Sequence, residues 1–337
     1  MKGKRKVCSS LNIYIKSYNR PFYLERCLRS IQKNVQGYNR IYVLDDGTLS
    51  KYLERLISNY PDVTFLYSGA DDGKFQLVRE QRFAEIRKRY RDPSSFWIEN
   101  ISKDEGQYFW LLEDDTWICQ PIDLQATERV LTNSGTAILK VTWCIDGPDR
   151  IFSSQVYRSE VISNSCNVQY FVPHLRSLRD LYQVYGLALH IFGKQYWLNA
   201  VNDLRYFLDE DSQLRRVLNY IRRKDNRDIL FAKTENRHLY WGWAIPGRSD
   251  PLYYRLGLKQ HIFTDALNEA WLAGSLNVMD DFPRDIGIDH LLDIFSYSGI
   301  DKLQIDSYNI WRSSISLLAT PYNEEDKLAS DVTGHRE

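Results

Sequence analysis

The stretch Gln107-Tyr108-Phe109-Trp110-Leu111-Leu112-Glu113-Asp114-Asp115-Thr116-Trp117-Ile118 decides the fold. In it, the apolar run Tyr108 to Leu112 leads directly into consecutive carboxylates. A short apolar run without polar alternation is typical of a strand buried on both faces, as in the parallel sheets of α/β proteins. Ligands of open α/β sheets bind outside the carboxyl ends of the strands. The stretch therefore predicts a central strand that ends at a ligand site.

The acidic cluster Glu113-Asp114-Asp115 has two interpretations. Adjacent carboxylates repel one another unless a cation or ligand offsets their charge, and Mg²⁺ or Mn²⁺ prefers carboxylate and phosphate oxygens. The first interpretation is therefore a metal–diphosphate site. The second is an acidic turn that closes a buried strand with the help of Thr116, since Asp is common where strands meet loops. The motif taken by itself leaves both open.

Composition narrows the class of protein. The chain has 337 residues, enough for one large domain or two. Lys plus Arg and Asp plus Glu both number 44, and this zero net charge argues against a nucleic-acid binder. The 5 cysteines are scattered without CxxC or Cys/His spacing, which predicts neither a disulfide framework nor a zinc site.

Targeting signals are not evident in the sequence. The basic start, residues 1–6, leads into Val7-Cys8-Ser9-Ser10 and not into the apolar core of a signal peptide. No apolar run approaches the roughly 18 residues of a membrane span. We expect a cytoplasmic protein, with peripheral contact between the basic start and the inner face of the membrane as an open alternative.

The N-terminal third alternates between strand and helix patterns. Predicted strands cover residues 11–15, 40–44 and 63–67, and predicted helices follow Pro21, span 49–60 and span 75–91. This βαβ alternation predicts a parallel sheet. The first strand is followed by neither GxGxxG nor a P-loop, which disfavours a dinucleotide-binding fold or a P-loop enzyme.

Four motifs in order resemble the nucleotide-sugar half of a GT-A glycosyltransferase, most closely glycosyltransferase family 2. They are Ser17-Tyr18-Asn19-Arg20-Pro21, Val43-Leu44-Asp45-Asp46-Gly47-Thr48, Glu80-Gln81-Arg82-Phe83-Ala84 and the DXD-like Glu113-Asp114-Asp115. The resemblance covers residues 11 to about 120. It implies the GT-A fold, a Rossmann-like, mostly parallel sheet flanked by helices.

The resemblance also implies roles for individual residues. Tyr18 is expected against the nucleobase, Asp46 at the base or ribose, and Arg82 at the base or the diphosphate. Asp115 is the expected ligand of Mn²⁺ or Mg²⁺, while Asp114 holds the ribose or a metal-bound water. Glu113 stands at the first acid of the motif and is a further candidate metal ligand.

Family 2 enzymes commonly carry their general base in a Glu-Asp-x-x-Leu-x-x-Arg stretch at the start of a helix. Glu210-Asp211-Ser212-Gln213-Leu214-Arg215-Arg216 resembles it, so Asp211 is the predicted base and Glu210 the alternate. The non-catalytic alternative is an acidic cluster that stabilises a helix N-terminus. Some GT-A enzymes use a histidine as an additional metal ligand, for which His238 is the candidate.

The remaining predictions concern the middle and the C-terminal part of the chain. Residues 137–143 and 169–173 are predicted strands, and residues 176–192 a helix. The predicted domains are a GT-A nucleotide-sugar and acceptor domain over residues 7–225, a mainly helical C-terminal extension over 226–322, and a disordered tail over 323–337. Helices are expected at 252–275 and 286–297. The resemblance does not reach the extension, which position alone assigns to acceptor recognition or homo-oligomer contacts.

These features predict a metal-dependent inverting glycosyltransferase, a hexosyl- or N-acetylhexosaminyltransferase. Its expected donor is a UDP-sugar, and its acceptor a hydroxyl of a glycan, a lipid-linked sugar or a protein. A bacterial surface-glycan or polysaccharide-synthesis enzyme is the typical case. The alternatives are an inactive nucleotide-sugar-binding partner protein, a nucleotidyltransferase of related fold, and a retaining transferase of the same fold.

Overall fold

The computed structural model describes residues 10–143, 158–163, 166–171, 188–201, 210–223, 229–246 and 251–316. Its strands are β1 (Asn12–Ser17), β2 (Val35–Gln36), β3 (Ile41–Asp45), β4 (Val63–Tyr67), β5 (Tyr108–Glu113), β6 (Thr116–Ile118), β7 (Ile122–Asp123), β8 (Ile138–Trp143), β9 (Arg158–Ser163), β10 (Cys166–Phe171), β11 (His190–Gly193) and β12 (Phe231–Trp241). Its helices are α1 (Pro21–Asn34), α2 (Ser50–Asn59), α3 (Asp72–Arg79), α4 (Phe83–Arg89), α5 (Pro93–Ser102), α6 (Leu124–Ser134), α7 (Lys194–Val201), α8 (Glu210–Ile221), α9 (Pro251–Arg255), α10 (Gln260–Ala273), α11 (Ile288–Tyr297) and α12 (Lys302–Ser316).

The main sheet has the strand order β4-β3-β1-β5-β11-β8-β12-β10-β9, with β6 paired to β12. Strands β4, β3, β1 and β5 are parallel, as predicted. Strand β11 lies antiparallel between β5 and β8, and β12 runs parallel to β8. The predicted fold class, an α/β sheet flanked by helices with a mainly helical C-terminal part, is confirmed.

Apolar sequence runs explain the central strands. Ile13 and Ile15 of β1 and Phe109 and Leu111 of β5 are fully buried. Strands in the middle of a parallel sheet are covered on both faces, which is why these runs are apolar without alternation. Between β1 and β3, Pro21 occupies the first turn of α1, where its missing N–H costs no hydrogen bond.

Three predicted helices differ from the structure. The helix predicted over residues 252–275 is divided into α9 and α10. The helix predicted over residues 75–91 is divided into α3 and α4, with Gln81 between them in a left-handed conformation (φ +58°). The helix predicted over 176–192 is wrong at its end, because His190–Gly193 forms β11. Residues 172–187 lie outside the described part of the chain.

The C-terminal helices pack into the core beside α1. The fully buried Arg26 of α1 donates hydrogen bonds to the carbonyls of Val278, Asp280 and Arg284, and its guanidinium lies 4.3 Å from the Trp117 ring centroid. These bonds join the C-terminal part to α1 and β6. The predicted domain boundary at residue 225 stays a prediction, but the sheet continues past it, since β12 lies between β8 and β10.

Candidate functional site

The carboxyl ends of β1, β3 and β5 meet at one edge of the sheet. Ser17 is in register with Asp45 of β3, and Lys16 is in register with Glu113 of β5. Parallel pairing therefore brings together three segments that the sequence separates: the loop after β1, the turn after β3 and the acidic triplet after β5. This edge is where open α/β sheets bind ligands.

Two basic residues, one in β1 and one in the loop after it, form ion pairs with the acidic triplet. The Arg20 guanidinium spans two carboxylates, with Nη1 2.5 Å from Asp115 Oδ2 and Nη2 bonded to Asp114 Oδ1. Lys16 Nζ lies 2.7 Å from Glu113 Oε1. Asp114 is fully buried, and its other oxygen accepts bonds of 3.2 Å from Ser17 Oγ and the Tyr18 N–H. The charges that would repel one another are thus offset by two cations of this chain.

The triplet also forms a turn that hydrogen bonds stabilise. Thr116 Oγ1 donates a 2.6 Å bond to the Glu113 carbonyl, and the Gly242 N–H donates a 2.7 Å bond to the Asp115 carbonyl. The turn that Thr116 was expected to stabilise therefore coexists with a charged site. The two interpretations of the motif do not exclude each other.

Burial and neighbouring charges shift the pKa values of the three acids in different directions. Burial raises the pKa of Asp114 to about 7, against the lowering effect of Arg20. Burial also raises the pKa of Asp115, again opposed by Arg20. Against desolvation, Lys16 and Arg20 hold the pKa of Glu113 below its ordinary value. The two aspartates are therefore carboxylates whose charged form depends on a nearby cation.

Asp46, predicted at the base or ribose, is buried in an ion pair. Lys74 Nζ of α3 lies 2.5 Å from Asp46 Oδ2 and donates a 3.0 Å bond to the Asp46 carbonyl. Burial raises the pKa of Asp46, and Lys74 lowers it. The same ammonium lies 5.4 Å from the centroid of the Tyr18 ring. Tyr18 and Asp46 thus both lie beside Lys74, a lysine that the sequence did not single out.

Gly47 occupies a turn after β3 that leaves little room for a side chain. Its φ is +113°, a conformation that glycine adopts readily, and a Cβ there would lie 3.0 Å from the Ala70 Cβ and 3.8 Å from Tyr18 Cε2. A side chain at position 47 would crowd Ala70 and would be only in ordinary van der Waals contact with Tyr18. Asp45, in contrast, accepts hydrogen bonds from the Gly47 and Thr48 N–H groups and shapes the turn itself.

A cavity of about 180 Å³ lies beside Tyr18. Its lining includes Tyr18 and Arg20 from the loop after β1, Phe75 and Arg79 from α3, and Asp265 from α10. Arg79 Nη2 lies 3.4 Å from Asp265 Oδ2. The C-terminal extension therefore supplies one wall of the cavity next to the acidic triplet.

Arg82, predicted to reach the base or diphosphate, lies on the surface at the start of α4. Its guanidinium pairs with Glu80 and Glu85 at 2.9 and 2.6 Å, and about half of its side chain is exposed. It is not part of the cavity lining, which instead contains Arg79, three residues earlier. The break between α3 and α4 separates the two arginines.

The described residues do not place the remaining candidates, His238, Glu210 and Asp211, at this site. His238 is buried in β12, where its carbonyl accepts a bond from the Cys119 N–H, four residues before the Gly242 contact with Asp115. That offset corresponds to about 13 Å along a strand, so the structure does not bring His238 to the acidic triplet. Glu210 begins α8, but the side chains of Glu210 and Asp211 lie outside the described part of the chain.

The acidic pair fits a divalent cation in its donor chemistry. Among the described residues, no three His, Cys, Asp or Glu side chains form a preformed metal site. Mg²⁺ and Mn²⁺ in phosphate-handling sites, however, need only one or two carboxylates plus phosphate oxygens and water. Asp114 and Asp115 already hold a cationic group, the Arg20 guanidinium, across their oxygens.

Sequence reasoning assigned no role to three residues of the site, Lys16, Arg20 and Lys74. A lysine within an apolar strand was a usable signal for Lys16, since lysine is rarely buried unless paired. For Lys74 no local signal existed, because its partner Asp46 is distant in sequence. No helix of the described residues has the length and apolarity needed to cross a bilayer.

No family model and no curated protein matches the chain. Among solved structures, S. aureus TarS is 13% identical with a TM-score of 0.44, covering 88% of this chain and 50% of that one. TarS 1–349 in complex with UDP is 12% identical with a TM-score of 0.43, covering 90% and 91%. Glucosyl-3-phosphoglycerate synthase from Mycobacterium tuberculosis, in complex with Mn²⁺, UDP and glucosyl-3-phosphoglycerate, is 15% identical with a TM-score of 0.40, covering 78% and 80%.

This chain thus spans half the length of the longer TarS chain. At these identities and TM-scores, the matches carry no argument about the fold or the activity of this chain. The case for a fold of this type depends on the strand order and on the segments that it gathers at the sheet edge.

Proposed function

We propose that the chain is an inverting glycosyltransferase of the GT-A type that uses a nucleotide-diphosphate sugar, with UDP as the expected nucleotide. The observation that carries the proposal is the meeting of Tyr18, Asp46 and the acidic triplet at one sheet edge. An aromatic face, a buried carboxylate and a cation-holding acidic pair are the groups needed by a base, a ribose and a diphosphate, respectively.

In the proposed arrangement, the nucleoside lies along Tyr18 and Asp46, and the diphosphate lies at Asp114 and Asp115. Asp115 and Glu113 are the proposed metal ligands, because both are partly exposed, whereas Asp114 is fully buried. A bound Mn²⁺ or Mg²⁺ supplies positive charge that stabilises the departing diphosphate. Arg20 and Arg79 add positive charge from the protein.

The chemistry proposed for the chain is a single displacement. The acceptor hydroxyl oxygen forms a bond to the anomeric carbon while the bond from that carbon to the phosphate oxygen breaks. Asp211, or else Glu210, takes the hydroxyl proton as general base, and the nucleoside diphosphate leaves with the bonding electrons. Trp243, half-buried close to the Gly242 contact with Asp115, is a candidate for stacking on a sugar ring. A hexosyl or N-acetylhexosaminyl donor and a glycan, lipid-linked or protein acceptor remain the proposed substrate classes.

The test is a thermal-shift panel of UDP-, GDP- and dTDP-sugars with Mn²⁺, followed by an assay for nucleoside diphosphate release. A ligand at about 100 times its Kd stabilises the folded state by roughly 2.7 kcal/mol, a shift of several degrees that is readily detected. We expect one nucleotide class to stabilise the protein and to be hydrolysed slowly in the absence of acceptor. Stabilisation by none of them would refute the proposal.

The same assay separates the alternatives. An inactive nucleotide-sugar-binding protein would be stabilised but would release no nucleoside diphosphate with any acceptor. A nucleotidyltransferase would release pyrophosphate from a nucleoside triphosphate and a sugar phosphate. The described structure favours neither alternative.

A further inference from the structure

Arg20 is the cation that occupies the acidic pair in this structure. Its two terminal nitrogens bond Asp115 Oδ2 and Asp114 Oδ1, while the second oxygen of Asp114 is taken by Ser17 Oγ and the Tyr18 N–H. One oxygen of each aspartate is therefore engaged by the same guanidinium. A divalent ion bonded to Asp115 would lie next to that guanidinium and be repelled by it.

The backbone before Arg20 is held by hydrogen bonds, whereas its side chain borders a cavity. The preceding residue, Asn19, is fixed by 3.0 Å bonds from its N–H to Thr48 Oγ1 and from Asn268 Nδ2 to its carbonyl. The Arg20 side chain itself is 29% exposed and lines the cavity beside Tyr18. The backbone next to Arg20 is therefore held in place, and its side chain borders open space on the side where the donor is proposed to bind.

The other basic residue at the triplet does not have this freedom. Lys16 Nζ pairs with Glu113 and lies 4.8 Å from the Trp97 ring centroid, and its side chain is only 10% exposed. Lys16 is a fixed partner of Glu113. Arg20 is the partly exposed cation of the two, and its planar fork matches the oxygens of a phosphate as well as those of a carboxylate.

We propose that Arg20 is a resident counter-ion that exchanges partners, from the Asp114–Asp115 pair to the donor diphosphate, when the metal–donor complex binds. This inference depends on the proposed function, since it assumes a diphosphate donor and a divalent ion. Its distinct consequence is that Arg20 sets how strongly the nucleotide raises the affinity for the ion. The ion binds weakly to the protein alone and tightly with nucleotide, because the nucleotide provides the new partner for Arg20.

The test measures Mn²⁺ binding by electron paramagnetic resonance on the full chain, with and without UDP. Arg20→Gln removes the competing charge, Arg20→Lys keeps a charge without the fork, and Arg89→Gln is the control. Arg89 also pairs with an aspartate, Asp71 at 3.2 Å, but on the exposed surface. Melting temperatures verify that each variant is folded, and Arg20→Lys carries the test if Arg20→Gln is not.

Without nucleotide, we expect Arg20→Gln to bind Mn²⁺ roughly ten- to a hundredfold more tightly than the wild type, the size of effect expected from charge-assisted hydrogen bonds. Arg20→Lys should be intermediate and Arg89→Gln unchanged. UDP should raise the Mn²⁺ affinity of the wild type strongly and that of Arg20→Gln little, while Arg20→Gln binds UDP more weakly.

Two results would contradict the account in different ways. If the wild type and Arg20→Gln bind Mn²⁺ equally, with equal gains from UDP, the exchange is refuted and the proposed function stands. If no protein binds Mn²⁺ even with UDP, the metal dependence in the proposed function is refuted, and the exchange with it.

Discussion

Replacing Lys74 with methionine tests the buried ion pair that connects Asp46 to the Tyr18 platform. The substitution keeps an unbranched side chain one atom shorter than that of lysine and removes its charge. Lys74 and Asp46 have side chains only 6% and 12% exposed, and Nζ contacts both Oδ2 and the carbonyl of Asp46. Removing one partner of a buried pair leaves an uncompensated charge and typically costs about 3–5 kcal/mol. We therefore expect a loss of about 3 kcal/mol in the free energy of unfolding at pH 8.

The loss should depend on pH. Burial already raises the pKa of Asp46, and without Lys74 it rises further. In the variant, the folded protein holds a proton on Asp46 that the unfolded chain releases above about pH 4. Stability is therefore retained at low pH and lost as the pH rises through the folded pKa. At pH 5 the difference from the wild type should approach the roughly 1 kcal/mol of a lost hydrogen bond.

The assay is denaturant unfolding at pH 5 and pH 8, with Lys103→Met as the matched control. Lys103 is 65% exposed and pairs with Glu99 at 2.7 Å on the surface. Exposed pairs contribute little, so the control should lie within about 0.5 kcal/mol of the wild type at both pH values. A Lys74→Met loss that equals the control, or that does not grow between pH 5 and pH 8, would refute the reasoning.

Three other substitutions test separate parts of the account. Gly242→Ala should cost at least about 2 kcal/mol by overpacking, because a Cβ at that position would lie 2.2 Å from Tyr23 Cζ; a stability within 0.5 kcal/mol of the wild type in chemical denaturation would contradict this. Asp211→Asn should lower turnover on the order of 10²-fold or more with donor affinity unchanged, and near wild-type turnover would move the base elsewhere. Arg79→Gln should weaken UDP binding about tenfold by calorimetry, whereas Arg82→Gln should change it less than about twofold because the ion pairs of Arg82 are exposed; the reverse order would favour the sequence-based assignment.

Local pattern predicted the parallel part of the sheet well. The apolar runs of β1, β3 and β5, together with Pro21 and the Asp45-Asp46-Gly47 turn, gave strands and boundaries close to those observed. The parallel orientation then follows from the βαβ connections, and it brings Asp46 and the acidic triplet to the same edge of the sheet. This part of the candidate site is encoded in short segments.

Features that depend on distant partners were not predicted. Strand β11 has only four residues, His190–Gly193, and its apolar pattern cannot be distinguished from a helical turn without knowledge of β5 and β8 on either side. Strand β12 contains the polar run Lys233 to Arg237, which conceals its place inside the sheet. The Lys74–Asp46 pair and the wall provided by Asp265 join segments that no sequence spacing connects.

The assignment of Arg82 shows a different limit. A continuous helix over residues 75–91 would have made several arginines comparable candidates, and the resemblance selected one of them. The break at Gln81, with its positive φ, places Arg79 toward the cavity and Arg82 among exposed carboxylates. A local backbone conformation therefore decides which arginine lies beside the site.

The central claim is that the carboxylates at the end of β5 bind a divalent ion together with a nucleoside diphosphate. Calorimetric titration of UDP with and without Mn²⁺, on the wild type and on Asp115→Asn, tests it most directly. The account predicts Mn²⁺-dependent UDP binding by the wild type and its loss in Asp115→Asn, with the melting temperature preserved. Equal UDP affinity with and without the ion, or an Asp115→Asn variant that binds as the wild type does, would contradict it.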